Sequence, residues 1–194
     1  KTKALMLHRI GDMARLQTDA IIISSCLGVV WVGLIGTYKM IVNSVSGYVN
    51  LIFNSVISSF GNLIATESRE KQFQLFLVYR FFAIWIYGFS AVGFFLLLSP
   101  LVELYVGADR VLATSIIAWY LTDYFFKGER VVLSNFKTAA GVFEQDKYLS
   151  ILQGIVNLVL SIALVFKIGL AGVFIGTVVS GLIANITNCL LYTS

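Results

Sequence analysis

Charge is scarce in this sequence, because Asp, Glu, Lys and Arg make up only 12% of its residues, against roughly 25% in an ordinary soluble domain. Proline and histidine occur once each and cysteine twice. One histidine and two cysteines in separate apolar segments, Cys26 and Cys189, cannot make a recognisable zinc site. Hydrophobic residues make up 58% of the chain and are spread along its whole length. This composition excludes a soluble domain with one anchor and predicts that almost the entire chain lies in a membrane.

Motifs for covalent, nucleotide or metal chemistry are also missing. The chain has no nucleotide-binding loop ending in Gly-Lys-Ser or Gly-Lys-Thr, no paired histidines with a glutamate, and no Gly-x-Ser-x-Gly elbow. It also lacks runs of Lys and Arg interleaved with aromatic residues, which single-stranded nucleic-acid sites require. We therefore predict that the protein is not an enzyme, needs no cofactor or metal, and does not bind nucleic acid.

Long apolar segments are what the sequence has in excess. A helix needs about 20 apolar residues to cross the hydrocarbon core of a membrane, and polar clusters divide the chain into six such segments. We therefore predict an all-α polytopic membrane protein with a bundle of six transmembrane helices. The approximate spans are residues 10–27, 33–64, 73–98, 112–136, 148–166 and 170–191.

The connections between these spans alternate between the two sides of the membrane, so their basic residues predict the orientation. One set of connections and termini contains seven basic residues, Lys1, Lys3, Arg9, Arg69, Lys71, Lys137 and Lys147. The other set contains two, Arg110 and Lys167. Because cytoplasmic loops carry the excess of Lys and Arg, we expect both termini in the cytoplasm. The start at Lys1, without an initiator Met or a signal-peptide layout, suggests a piece of a longer polypeptide.

Polar side chains line up along one face in three of the predicted spans. At about 100° per residue, each set stays within a sector of roughly 60–80°. The sets are His8, Asp12, Arg15 and Asp19 in the first span, Gly36, Lys39, Asn43, Ser46, Asn50 and Asn54 in the second, and Asp123, Lys127, Arg130, Ser134 and Lys137 in the fourth. A helical rise of about 1.5 Å per residue places Asp19 and Asp123 near the bilayer midplane. A charge there costs about 2.5–3.5 kcal/mol on insertion scales, so these faces are expected to meet each other or water.

Two interpretations of these charges stay open. Arg15 with Asp19, and Asp123 with Lys127, are four residues apart and suit helical ion pairs. These two pairs do not include Lys39 and Arg130. The two additional cations favour the second interpretation, in which the polar faces line an aqueous cavity that accepts an anionic group. Without ATP machinery, transport through such a cavity would run on an ion gradient or on the substrate gradient. The two aspartates are therefore the candidates for proton or sodium coupling.

Two further features have structural interpretations. Gly172, Gly176, Ser180 and Ala184 repeat a small residue every four positions, which favours close approach of a neighbouring helix. Arg80 lies about two turns inside its span, so we expect its long side chain to reach back to the lipid headgroups.

The order and spacing of several short motifs carry a family resemblance. They are His8 to Gly11, Thr18 to Ser24, Gly33 and Tyr38, Gly61-Asn62-Leu63 with Glu67, Asn135 to Gly141 with Asp146-Lys147-Tyr148, and Asn157, Ser161, Gly169 to Gly172 and Gly176-Thr177. Together they resemble the C-terminal half of polysaccharide repeat-unit flippases. These flippases form the oligosaccharide branch of the multidrug/oligosaccharidyl-lipid/polysaccharide exporter superfamily. The resemblance covers nearly the whole chain.

The resemblance implies two six-helix lobes around a central cationic cavity in a bacterial inner membrane. The implied substrate is undecaprenyl pyrophosphate bearing an O-antigen or capsular sugar repeat, moved from the cytoplasmic to the periplasmic leaflet. The implied pyrophosphate contacts are Arg15, Lys39, Lys127 and Arg130, with Asn43 and Asn50 as sugar contacts. The chain lacks the first lobe, which would be its partner beside the membrane lipids. We expect this piece alone to have half a pathway and not to transport.

Other functions remain as alternatives. A membrane-embedded glycan polymerase or ligase would carry a large periplasmic loop, whereas the longest outer connection expected here, Ser99 to Val111, is short. A drug or metabolite exporter of the same superfamily would favour a more acidic and aromatic cavity. A purely structural scaffold would not need charges at the midplane.

Overall fold

The computed structural model describes residues 18–140 and 146–193, with side chains described for residues 18–140 and 152–183. Within these ranges the chain is almost entirely α-helical and contains no β-strand. The prediction of an all-α fold is therefore confirmed. The helices are α1 over residues 18–26, α2 Val29–Asn54, α3 Ile57–Thr66, α4 Arg69–Val106, α5 Thr114–Ala140, α6 Asp146–Ile168 and α7 Leu170–Thr193.

Two stretches of the described residues are long and apolar enough to cross a membrane. They are Val29–Thr66, which contains α2 and α3, and Arg69–Val106, which is α4, and each covers 38 residues. About 20 apolar residues suffice for one crossing. Helix α5 has 27 residues, but its charged side chains keep its composition from marking it as an apolar span. Length and composition thus support membrane crossing by α2 with α3 and by α4, and the bundle of six crossings stays a prediction.

The helices lie at the positions of the predicted spans, except that one span is divided between two helices. The spans 73–98, 112–136, 148–166 and 170–191 lie over α4, α5, α6 and α7 in turn. The span 33–64 is divided between α2 and α3, which are separated by Ser55 and Val56. Of the span 10–27, residues 10–17 lie outside the described residues. The number of helices that cross a membrane is not set by these positions.

The connection predicted from Ser99 to Val111 is mostly helical, which corrects that boundary. Helix α4 continues through Pro100 to Val106, because Leu98 and Val102, one turn apart, are both fully buried and keep the apolar face of the helix packed. The remaining connection to α5 contains a short 3₁₀ turn, Ala108–Arg110. The loop between α4 and α5 is therefore shorter than the sequence suggested.

The chain divides into two compact units. The first contains Lys1–Gly36, Leu112–Asp123 and Phe143–Ser194. The second contains Thr37–Val111 and Tyr124–Val142. Each unit has its own manner of packing.

In the first unit, α6 and α7 form a tight antiparallel hairpin. Gly169, with φ 62°, connects them in a left-handed conformation that suits glycine. A Cβ atom on Gly172 would lie 2.5 Å from the backbone carbonyl of Leu164, and one on Gly176 would lie 2.6 Å from Ser161 Oγ. The predicted packing role of these two glycines is therefore confirmed. Ser180 is also buried, and the side chain of Ala184 lies outside the described residues.

In the second unit, aromatic rings fill the space between helices. Phe53 of α2 stacks on Tyr87 of α4, with ring centroids 5.5 Å apart, and meets Tyr79 edge-on at 5.4 Å. Phe76 of α4 meets Phe136 of α5 at 5.2 Å. Such pairs add to the stabilisation that comes from burying apolar area. The contacts run antiparallel between α4 and each of its two neighbours, so α2 and α5 are parallel.

The break between α2 and α3 is held by hydrogen bonds from other helices. The backbone carbonyl of Phe53 accepts from Tyr79 Oη at 3.1 Å and from Asn135 Nδ2 at 3.0 Å. Ser55 Oγ donates to the carbonyl of Ile52 at 2.8 Å. A carbonyl freed by a helix break inside lipid costs several kcal/mol unless it finds a donor. The two side chains from α4 and α5 therefore stabilise the break.

Candidate functional site

The first candidate site is centred on Asp19, whose side chain is only 7% exposed. Thr177 Oγ1 of α7 lies 3.2 Å from Asp19 Oδ1 and 3.3 Å from Oδ2, within donating distance of both. A buried carboxylate is costly unless polar groups surround it. The fold thus brings a hydroxyl from the far end of the chain to the carboxylate that the sequence placed at membrane depth.

Two residues of α6 extend this site. Asn157 Nδ2 donates to Thr177 Oγ1 at 3.2 Å, and Ser161 Oγ donates to Asn157 Oδ1 at 3.3 Å. Ser161 Oγ and Thr177 Oγ1 also lie within donating distance, 3.4 and 3.0 Å, of the backbone carbonyl of Val173. All four side chains are buried. We refer to Asp19, Asn157, Ser161 and Thr177 with the Val173 carbonyl as the Asp19 cluster.

The local sequence explains why these groups meet. Asn157 and Ser161 are four residues apart on α6, as are Val173 and Thr177 on α7, so each pair lies on one helix face. The close approach allowed by Gly172 and Gly176 brings the two faces together.

The Asp19 cluster therefore suits a small hard cation or a proton. Its potential ligands are carboxylate, amide, hydroxyl and carbonyl oxygens, the atoms that hard cations prefer. Among the described residues, no three His, Cys, Asp or Glu side chains come together. The predicted second acid, Asp123 of α5, is also buried and belongs to the same unit.

The basic residues of the predicted anion site lie in the second unit. Lys39 on α2, and Lys127 and Arg130 on α5, are each half-buried. The Nε atom of Arg130 is enclosed by protein. Arg15, the fourth predicted contact, lies outside the described residues, as does its suggested pairing with Asp19.

The polar face of α5 is distinct from its packed face. The buried side of the second-unit part of α5 carries Tyr124, Gly128 and Val132. Arg130 lies roughly 160° around the helix from Gly128 and Val132, at about 100° per residue. Ser134, on the same stripe, is exposed. The stripe therefore borders the unit rather than entering its aromatic core.

The two predicted sugar contacts differ in their surroundings. Asn43 is exposed. Asn50 is half-buried, and its Oδ1 accepts a hydrogen bond from Tyr87 Oη at 2.5 Å. Only Asn50 is thus held by the fold.

Arg80 pairs with an acidic residue of α5, a contact that was not expected from the sequence. Its Nε donates to Glu129 Oε1 of α5 at 2.9 Å, and its Nη2 donates to the same oxygen. A neighbouring carboxylate stabilises the guanidinium through charge-assisted hydrogen bonds. Glu129 was missed because it lies about 120° from the polar stripe of its helix. The signal in the sequence was an arginine in the apolar part of α4 and an acidic residue of α5 away from the polar stripe.

The partners of Asp19 were also missed as site residues. Asn157, Ser161 and Thr177 stood out in the sequence only as polar positions in apolar segments and as parts of short motifs. Their spacing of four on two consecutive helices gave a hint of a shared face. The contact with Asp19, 158 residues away from Thr177, could not be read from spacing.

The chain has no significant match among protein-family models, curated proteins or solved structures. Its family therefore stays an expectation from short motifs, and the geometry of the two sites must carry the functional argument.

Proposed function

We propose that this chain is one lobe of a multi-pass flippase in a bacterial inner membrane. In this proposal it moves a pyrophosphate-linked oligosaccharide from the cytoplasmic to the periplasmic leaflet, with both ends of the chain in the cytoplasm. The observation that carries the proposal is the placement of Lys39, Lys127 and Arg130. All three are half-buried in one compact unit, on two parallel helices, within a chain of very low charge.

The cost of placing a charge in lipid supports this proposal. Each cation facing lipid at the bilayer centre would cost about 2.5–3.5 kcal/mol on insertion scales. A cation that lines a water-filled cavity should be half-buried, as these three are. Several cations in such a hollow favour an anionic substrate over a neutral or cationic one. Pyrophosphate is such an anionic group, and the sugar repeat linked to it would be carried with it.

The Asp19 cluster supplies a second, separate element of the proposal. Transport against a gradient needs an energy source, and the sequence holds no nucleotide-binding loop. A buried carboxylate within reach of a threonine hydroxyl, with amide and hydroxyl groups behind it, could take up a proton or a sodium ion. We therefore assign ion coupling to Asp19, with Asp123 as the second candidate.

The described connections weigh against a glycan polymerase or ligase. In the proposed orientation, the outer connections are Leu27 with Gly28, the segment Gly107 to Ala113, and Gly169. Each is too short to form the periplasmic domain that such an enzyme would use to hold acceptor glycans.

The test is complementation in a strain whose own copy is deleted, with variants made in the complete polypeptide. Lys39→Ala and Arg130→Ala should each abolish surface polysaccharide while protein abundance in the membrane stays normal. Lys167→Ala, an exposed cation at the end of α6, serves as the matched control and should leave polysaccharide unchanged. Normal polysaccharide in both test variants would overturn the proposal.

A further inference from the structure

Tyr87 is a buried residue with one polar contact that bears on the proposed site. Its side chain lies on α4 and is 2% exposed. A buried phenol hydroxyl needs an acceptor, and Tyr87 Oη donates to Asn50 Oδ1 at 2.5 Å. The hydrogen bond joins the aromatic core of the second unit to the polar stripe of α2.

The ring of Tyr87 has little freedom to move. A Cβ atom on Gly128 would lie 2.1 Å from a ring carbon of Tyr87, so the ring rests directly on the backbone of α5. Phe53 stacks on it at a centroid distance of 5.5 Å, and Tyr124 meets it edge-on at 5.7 Å. Rings held on several sides keep the hydroxyl in one place.

The hydrogen bond from Tyr87 orients the Asn50 amide, because the amide oxygen accepts the phenol proton. An asparagine side chain has an accepting oxygen and a donating nitrogen of nearly equal size, and its hydrogen bonds decide which way the amide faces. Because Oδ1 is turned toward Tyr87, Nδ2 is turned away from it. Asn50 is half-buried and, at about 100° per residue, lies on the same face of α2 as Lys39 and Asn43.

We propose that Tyr87 is a positioning residue that makes Asn50 a hydrogen-bond donor to the phosphate oxygens of the substrate, rather than a contact for its sugars. This inference rests on the proposed function and assigns Asn50 a different role from the one the family resemblance implies. Tyr87 itself does not touch the substrate.

The reason lies in what each part of the substrate offers. A sugar hydroxyl both donates and accepts, so it would bind an asparagine in either orientation. A phosphate oxygen only accepts, so only the donating orientation stabilises it. Fixing the amide therefore matters for the anionic group. Lys127, next to Gly128 in sequence, adds a cation on the helix against which the Tyr87 ring rests.

The test measures binding to the complete polypeptide in lipid nanodiscs. The probes are undecaprenyl pyrophosphate, the uncharged lipid undecaprenol, and a neutral oligosaccharide without lipid. Tyr87→Phe should weaken binding of the pyrophosphate lipid about fivefold, and Asn50→Ala about tenfold, since hydrogen bonds to charged groups have this strength. The double variant should bind no more weakly than Asn50→Ala, because Tyr87 acts only through Asn50.

Two further variants separate positioning from packing. Tyr79→Phe removes a hydroxyl from the same aromatic core without touching Asn50 and should leave binding unchanged. Asn50→Asp keeps the acceptor for Tyr87 but turns the second atom into a carboxylate oxygen. It should weaken binding of the pyrophosphate lipid more than Asn50→Ala does, and binding of undecaprenol should not change.

The outcomes distinguish this inference from the function on which it rests. Additive losses for Tyr87→Phe and Asn50→Ala, or equal losses for Tyr87→Phe and Tyr79→Phe, overturn the positioning role and leave the flippase proposal standing. Weakened binding of the neutral oligosaccharide instead of the pyrophosphate lipid returns Asn50 to a sugar contact. Failure of the unaltered protein to bind the pyrophosphate lipid overturns both.

Discussion

In the first unit, helices α6 and α7 touch through glycines and bury a cluster of oxygen atoms between them, whereas in the second unit aromatic rings fill the space between helices. Asp19 and Thr177 represent the first manner of packing, and Phe53 and Tyr87 the second. Backbones in close contact leave polar side chains no route to solvent, so they bond to one another. In the second unit, rings fill the space between helices, and Lys39, Lys127 and Arg130 are half-buried.

The difference suggests two separate tasks. A buried cluster of oxygens would suit a small ion that enters without its full water shell. Half-buried cations and amides would suit a large anionic group. Variants that alter the packing or the polar groups of one unit therefore test whether the two units differ in this way.

The largest effect is expected from filling the close contact between α6 and α7. Gly172→Ala should lower the free energy of unfolding by about 3 kcal/mol or more, because the new methyl group meets the Leu164 backbone, which cannot turn aside. Gly154→Ala on α6, where a Cβ would meet nothing within 4 Å, is the matched control. Thermal unfolding in detergent measures both. Equal stability of the two variants would contradict glycine-mediated packing.

Loss of the hydrogen bonds to the Phe53 carbonyl, at the break between α2 and α3, should have the next largest effect. Asn135→Leu removes one of two donors to the Phe53 carbonyl and should cost about 0.5–1.5 kcal/mol, the usual net value of one hydrogen bond, because Tyr79 still donates. Tyr79→Phe should cost less, since its volume is nearly unchanged. The combined variant should cost more than the sum, because only then is the carbonyl bare. Additive costs would show that the two donors do not substitute for each other at the Phe53 carbonyl.

A change in coupling without loss of fold is expected at Asp19. Asp19→Asn keeps the shape of the side chain and an acceptor for Thr177 but removes the negative charge. Transport should lose its response to an imposed proton or sodium gradient, while the protein stays folded and abundant. Thr177→Val, which removes the hydroxyl, should weaken the response in the same direction. A gradient response that survives in Asp19→Asn would move the coupling role to Asp123 or elsewhere.

The smallest effect is expected from the pair of Arg80 and Glu129. The Arg80 side chain is 48% exposed, so screening reduces the value of the pair to about 0–1 kcal/mol. Replacing Glu129 alone by Gln should lower stability slightly, and replacing Arg80 by Gln as well should restore part of the loss. Double-mutant analysis of thermal unfolding measures the coupling. A coupling free energy near zero would make the pair incidental to α4–α5 packing.

Hydrophobic runs were enough to locate α4 to α7 from the sequence, because long apolar helices leave a strong local signal. The break after Asn54 left no such signal. The segment from Tyr48 to Phe60 has no glycine or proline, and the break depends on donors from two other helices. The extension of α4 past Ser99 was missed for a similar reason, since burial of Val102 overrides the proline.

The candidate sites were predicted in the same uneven way. Helical periodicity grouped Lys39, Asn43 and Asn50 correctly on one face, and the cost of buried charge singled out Asp19. The partners came from elsewhere in the chain, and no local pattern links Thr177 to Asp19 or Tyr87 to Asn50. Pairings across large sequence separations arise from helix packing, which composition and spacing do not encode.

The joint between α2 and α3 also says something about how the protein is made. Tyr79 follows Phe53 by 26 residues and Asn135 follows it by 82. During synthesis, the carbonyl of Phe53 is made before either of its donors. The nascent chain can form the hydrogen bond from Tyr79 once α4 is made, and it gains the second donor only when α5 follows. A chain whose synthesis stalls before Asn135 would lack the second hydrogen bond to the Phe53 carbonyl. That product should be an early target for membrane quality-control proteases.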